Sequence, residues 1–216
     1  LLAAGCDALL ANNPQNCIHN PAICDSESVC NSMLAICQPR ILGVLGGSDT
    51  VNENLRFGLS GPLGVSFYES PNETKMMVAD TGNHRVLIWN SVPTQNQPPD
   101  VVLGQPAFDT NVADYNGSSA TSMTSPQSVV AINGKLVVAD SGNHRLLIWN
   151  SFPTANYRPA DVVWGQLNNT TSTVNQGRGT ANPLARGVNT PMVAAAGNRL
   201  VVTDSVNNRV LVFKDV

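Results

Sequence analysis

The most regular hydrophobic pattern in this chain is a polar turn between two short apolar runs, and it occurs three times. VADTGNHRVLIWN spans residues 78–90, VADSGNHRLLIWN spans 138–150 and VTDSVNNRVLVF spans 202–213. Asp80, Asp140 and Asp204 fall 60 and 64 residues apart, and the context repeats with them. The apolar runs are short, β-branched and aromatic, so each copy predicts two antiparallel strands joined by an Asx/Gly turn. A further strand precedes the pair: residues 127–132 lead through Asn133 and Gly134, a strong hairpin signal, into 135–139. Another follows at 161–164 and is closed by Gly165 and Gln166. Four-stranded up-and-down meanders, repeated with no helical period between them, predict an all-β chain of propeller blades.

The first complete unit uses residues 64–69, 75–79, 85–90 and 100–104, and the second 127–132, 135–139, 145–150 and 161–165. A third begins at Met192 and reaches Val216 without a fourth strand. Residues 41–46, ILGVLG, match VVLG at 101–104 and VVWG at 162–165, which predicts the last strand of a preceding blade. The chain thus holds about three blades' worth of strands where a closed ring typically needs about four to eight, and its open edges offer a route to self-association. In a meander the connections alternate between the two faces. The signature turns and the long links 105–125 and 166–190 are therefore expected on one face, with the loop 151–160 on the opposite one. Long loops on a rigid scaffold are where binding usually resides.

The pattern Asp-x-x-Asn-x-Arg before an apolar strand, preceded by Pro-x-x-Val and a short hairpin, resembles the NHL repeat. The wording IWNS, then Pro, then DVVLGQ is similar to the long-loop NHL repeats of bacterial secreted and surface proteins. The resemblance covers residues 41–216 and implies blades of the kind that build mostly six-bladed propellers. It implies no single function, because NHL propellers include RNA binders, protein-binding sensor domains and a metal-dependent lyase. Asp80, Asn83 and Arg85, with Asp140, Asn143 and Arg145 and with Asp204, Asn207 and Arg209, are the signature residues. Their repetition in every blade favours a structural stitch, the Asp accepting turn N–H groups while the Arg ties down a neighbour. Trp89, Trp149 and Phe213 share one position and predict packing between blades.

Composition narrows the partners. Of 216 residues only 12% are charged, the net charge is −3, and the 12 Lys and Arg residues do not cluster. That argues against nucleic acid, which needs a basic stripe. The opening LLAAGC resembles the end of a bacterial lipoprotein signal, with residues 1–5 as the tail of the cleaved segment and Cys6 as the lipidated residue. Cys17, Cys24, Cys30 and Cys37 then form an even set confined to one short segment, which reads as two disulfides with three pairings open. Residues 6–40 are expected to be a small stapled cap or stalk, with a short helix over 26–36. Residues 41–216 are the propeller portion.

Catalytic chemistry finds little purchase. There is no G-x-S-x-G, and LGVLGG at 42–47 lacks the Lys and helix of a phosphate loop. His84 and His144 occupy equivalent positions and are the candidate metal ligands, but the third copy has Asn208 there. Two histidines need a third ligand, which Asp114, Asp109 or a further blade would have to supply. The expectation is an exported, membrane-anchored lipoprotein at the cell surface or in the periplasm. It presents the long-loop face to a protein or glycan partner, with no cofactor and no nucleic acid, and touches the membrane only through its lipid. The alternative is a metal-dependent lyase or hydrolase with His84 and His144 as partial ligands.

Overall fold

The computed structural model describes residues 28–31, 36–39, 58–94, 97–180, 183–214 and 216, in two compact units, Leu1–Val44 and Leu45–Val216. In the first unit, strands β1 (Ser28–Asn31) and β2 (Ile36–Pro39) pair antiparallel, with Cys30 opposite Cys37 in the register. This corrects the expected helix over 26–36. Val29, Cys30, Ile36 and Cys37 are poor helix formers, and a strand pair suits them better. Cys6, Cys17 and Cys24, the signal tail 1–5 and the strand expected at 41–46 lie outside the described residues.

The second unit consists of three antiparallel sheets laid down in chain order. The first blade contains β3 (Gly64–Ser70), β4 (Glu73–Asp80), β5 (Arg85–Trp89) and β6 (Val101–Leu103). The second contains β7 (Ser128–Ile132), β8 (Lys135–Asp140), β9 (Arg145–Trp149) and β10 (Val162–Trp164). The third has, among the described residues, β11 (Pro191–Ala196), β12 (Arg199–Asp204) and β13 (Arg209–Lys214). The register is the same in all three: Asp80 faces Arg85, Asp140 faces Arg145 and Asp204 faces Arg209.

Strand alternation sends successive residues to the two neighbouring blades. Met77, Ala79, Val86 and Ile88 of the first blade close a core with Val129, Leu136, Val138, Leu147 and Trp149 of the second. Val137, Ala139 and Leu146 then close another with Val193, Leu200 and Val202 of the third. The middle blade is buried on both faces, which is why β8 and β9 read as nearly continuous apolar runs. Each fully buried Val or Leu contributes about 1.5–3 kcal/mol. The inner strands approach closely. Val193 N–H donates to Ser128 Oγ at 2.7 Å, and a Cβ on Gly64 would lie 2.7 Å from Gln127 O, so β3 can approach β7 only with glycine there.

The outer edge of β6 is protected by the next blade. Tyr157 N–H donates to Val102 O at 2.9 Å, and Val102 N–H donates to Asn156 Oδ1 at 3.1 Å. The same loop touches the long link: Ala160 N–H donates to Ala120 O, and the Tyr115 and Tyr157 rings meet edge-on at 6.1 Å. These contacts correct the assignment of loop 151–160 and link 105–125 to opposite faces. The fourth strand is three residues long, about 10 Å, so both segments reach over the same rim.

Candidate functional site

The three signature turns share one geometry. A 3-10 turn (Thr81–Asn83, Ser141–Asn143, Ser205–Asn207) is closed by a left-handed residue, His84, His144 or Asn208, at φ 54°, 52° and 52°. That turn aligns Asp with Arg across the strand pair. Asp80, Asp140 and Asp204 each accept the Arg Nε–H on Oδ2 at 2.7 Å. Asn83, Asn143 and Asn207 donate to the same carboxylates at 2.8–2.9 Å. The remaining oxygen of each Asp accepts a backbone N–H from the chain entering the blade: Ser60 at 2.7 Å, Thr124 at 2.8 Å and Asn189 at 2.7 Å. All three donors stand two residues before a proline.

The guanidinium groups finish the stitch by donating to link carbonyls. Arg85 reaches Gly58 O and Phe108 O, Arg145 reaches Ser119, Ser122 and Asn169 O, and Arg209 reaches Leu184 and Gly187 O. The first two pairs therefore hold their blade to the connections on both sides of it, and the third holds its blade to the entering link. Asp140 and Arg145 are fully buried, as are Asp80 and Arg85. Burial pushes the Asp140 carboxyl up to about 6, against the opposing pull of Arg145, the Asn143 amide and the Thr124 N–H. It is ionised at neutral pH.

A second device repeats beside the first. Gln105 and Gln166 are buried at the start of each long link, just after a glycine at φ 88° or 101°. Gln105 Nε2 donates to His84 O and Val112 O while its Oε1 accepts Val112 N–H. Gln166 Nε2 donates to His144 O and Thr173 O while its Oε1 accepts Thr173 N–H. The amide pairs both polar groups of one link residue, as a strand neighbour would.

His84 and His144 latch successive blades. Nδ1 of His84 accepts Ser125 N–H at 3.0 Å, and Nδ1 of His144 accepts Thr190 N–H at 3.2 Å. Ser125 and Thr190 precede Pro126 and Pro191 and are left-handed, at φ 48° and 53°. A non-glycine residue in that conformation costs about 1–2 kcal/mol, and the imidazole helps to hold it. Burial lowers the pKa of both rings below the usual imidazole value. For His84 the charges of Asp114 and Asp80 oppose that shift, whereas for His144 burial is the whole cause. Nδ1 is thus engaged in both. Asp114 Oδ1 accepts from Asn143 at 2.7 Å, and no group of three metal-ligating side chains occurs among the described residues. Of the expected packing residues, Trp149 lies in the core between the first two blades and Phe213 meets Trp164 edge-on at 5.1 Å, whereas the buried Trp89 packs with Met76, Val78, Leu87 and Val102 of its own blade.

Comparison with known proteins assigns the repeat. Residues 123–149, from the buried Met123 through β7, β8, the signature turn and β9, match the family model described as NHL repeat. That segment is an NHL repeat. Curated proteins yield no match. Among solved structures, the PQQ-bound aldose sugar dehydrogenase of Streptomyces coelicolor is similar at 16% identity and a TM-score of 0.36, over 71% of this chain and 40% of that one. The computationally designed Ika4 protein is similar at 9% identity and a TM-score of 0.32, over 83% of this chain and 100% of that one. The chain therefore spans about 40% of the length of the dehydrogenase.

The structure brings all nine NHL signature residues into three equivalent stitches. Sequence reasoning missed the two glutamines, although both copies of Gly-Gln were visible at the end of the fourth strand. It also missed the residue two before each proline. That signal was present three times, as Ser60-Gly61-Pro62, Thr124-Ser125-Pro126 and Asn189-Thr190-Pro191.

Proposed function

We propose that this NHL chain is an exported binding scaffold that recognises a protein or glycan partner through its long links. The NHL propeller fold supports a general binding or scaffold role. The observation that carries the reading further is that both links are fastened to the sheets by Gln105, Gln166 and the signature arginines, while they present apolar side chains outward. Val112 and Leu167 are exposed, with Asn111, Asn168 and Asn169 beside them. A fastened loop loses little conformational entropy on binding, so a partner meets a preformed surface. In the first two repeats the signature charges are buried and committed to structural bonds, which favours binding over catalysis. Export and a lipid on Cys6 rest on the LLAAGC opening, and the register of Cys30 with Cys37 suits a stapled stalk.

The test is a glycan array run beside a panel of immobilised surface and matrix proteins. Two variants, V112D and L167D, which change only exposed side chains of the links, are taken through the same screens. The reading expects a ligand whose binding falls at least about tenfold in one variant, about 1.4 kcal/mol, with thermal unfolding unchanged. Undiminished binding in both variants overturns it. Labelling of the exported chain with a fatty acid, lost in C6S, tests the anchor.

A further inference from the structure

Strands β1 and β2 form a sheet of their own, two strands of four residues each, which no third strand joins among the described residues. A two-stranded hairpin by itself is at best marginally stable in water. Small units without a sufficient core are commonly held by a covalent staple instead. This hairpin carries the material for one at a defined place. Cys30 and Cys37 occupy the same register position, one on each strand, between the Val29–Gln38 and Asn31–Ile36 positions. Opposite residues of an antiparallel pair share a face and have Cα atoms about 4.5–5.5 Å apart, inside the range of about 4.4–6.8 Å that a disulfide spans.

We propose that Cys30 and Cys37 form a disulfide across this hairpin, which leaves Cys17 and Cys24 to form the second bridge of the even set. Cysteine spacing left three pairings open, and the register separates them. The other two both part Cys30 from Cys37, joining one to Cys17 and the other to Cys24. On the way to either, one cysteine of the hairpin is bonded elsewhere while the other is still a thiol at the opposite register position. Thiolate attack on that bond transfers it to the hairpin. The short hairpin loop also closes at a smaller loss of chain entropy than a longer one. Each thiol gives up one proton and one electron as the Sγ–Sγ bond forms. The oxidant is a protein disulfide of the export route, which takes both electrons and both protons and becomes a dithiol. That supply rests on the export reading, because a reducing compartment keeps thiols free.

The experiment tests the pairing apart from export. The full chain carrying C6S, so that only the even set can pair, is equilibrated in reduced and oxidised glutathione, where glutathione disulfide is the electron acceptor whatever the native compartment. Free thiols are blocked with iodoacetamide, and the chain is cleaved without reduction after Glu27, Met33 and Arg40. The expected products are peptide 28–33 joined to 34–40, with 1–27 released apart from them. Either other pairing ties both short peptides to 1–27, and that three-part species as the main product overturns the proposal. So does recovery of the two short peptides in alkylated form. Adding C37S reads the same assignment a second way: Cys30 is expected to become reactive while Cys17 and Cys24 stay blocked. A free thiol at Cys17 or Cys24 in that variant, with Cys30 bonded, also overturns the proposal. Free thiols in chain taken directly from cells, beside the expected peptides in glutathione, would remove the export reading and leave the pairing standing.

Discussion

Removing the carboxylate of Asp140 tests the structural stitch most sharply. In D140A the Arg145 guanidinium stays fully buried with no counter-charge, and the Asn143 amide and Thr124 N–H lose their acceptor. Breaking a buried ion pair from one side costs about 3–5 kcal/mol. The bonds from Arg145 to the Ser119, Ser122 and Asn169 carbonyls persist, which places the loss near the middle, at about 4 kcal/mol. D204A is the internal control. Arg209 makes the same bond, but its side chain is 25% exposed, so water replaces part of what is lost and the cost falls to about 2 kcal/mol. In urea, with a slope of about 2 kcal/mol per molar, D140A should move the midpoint by about 2 M and D204A by about 1 M. Equal shifts, or a D140A shift below about 0.5 M, would refute the reasoning, since either means that burial of the pair does not set its contribution.

Other outcomes follow from the same geometry. Q166A removes both bonds to Thr173 and should cost about 1–3 kcal/mol, with faster amide exchange at Thr173 and new proteolysis in the 167–180 link, read by limited digestion and mass spectrometry. G142A puts a Cβ 2.5 Å from Thr124 O and should destabilise by about 2 kcal/mol, whereas V206G at the equivalent exposed turn should change the urea midpoint little. The His144 ring must be neutral to accept from Thr190, and its folded pKa lies below 6.5. Its contribution is therefore complete above about pH 6.5 and is lost as pH falls through the lowered folded value. Relative to H144N, which copies the natural Asn208, the wild type should gain stability on going from pH 5 to pH 7. A gain of the same sign is expected over H84N, because burial also lowers the His84 pKa against the opposing charges of Asp114 and Asp80.

How legible all this was depended on the range over which each signal acts. Strands β3 to β13 were readable because alternation, β-branched runs and turn residues are local and because the copies cross-check one another. The Asp–Arg pair was readable too, since its partners stand five residues apart and face each other across one turn. The His84 latch joins residues 41 apart and the Val102–Asn156 contact residues 54 apart, and no local pattern marks either. The histidines looked like metal ligands because only their equivalence was visible, and the backbone N–H that each accepts was not. The Gly-Gln pairs were read as strand terminators for the same reason. The helix expected over 26–36 failed differently: Val29 and Ile36 are branched at Cβ, which favours the observed strand pair.

The central claim is that the long links belong to the rigid scaffold, pinned by a repeated polar stitch. Residue-resolved amide hydrogen exchange of the intact chain addresses it directly. The account predicts that the N–H groups of Val112, Thr124, Ser125, Thr173, Asn189 and Thr190, all bonded to signature or clamp side chains, exchange nearly as slowly as those of β8 and β9. Exchange of these six at the rate of an open loop, while the strands stay protected, would contradict it.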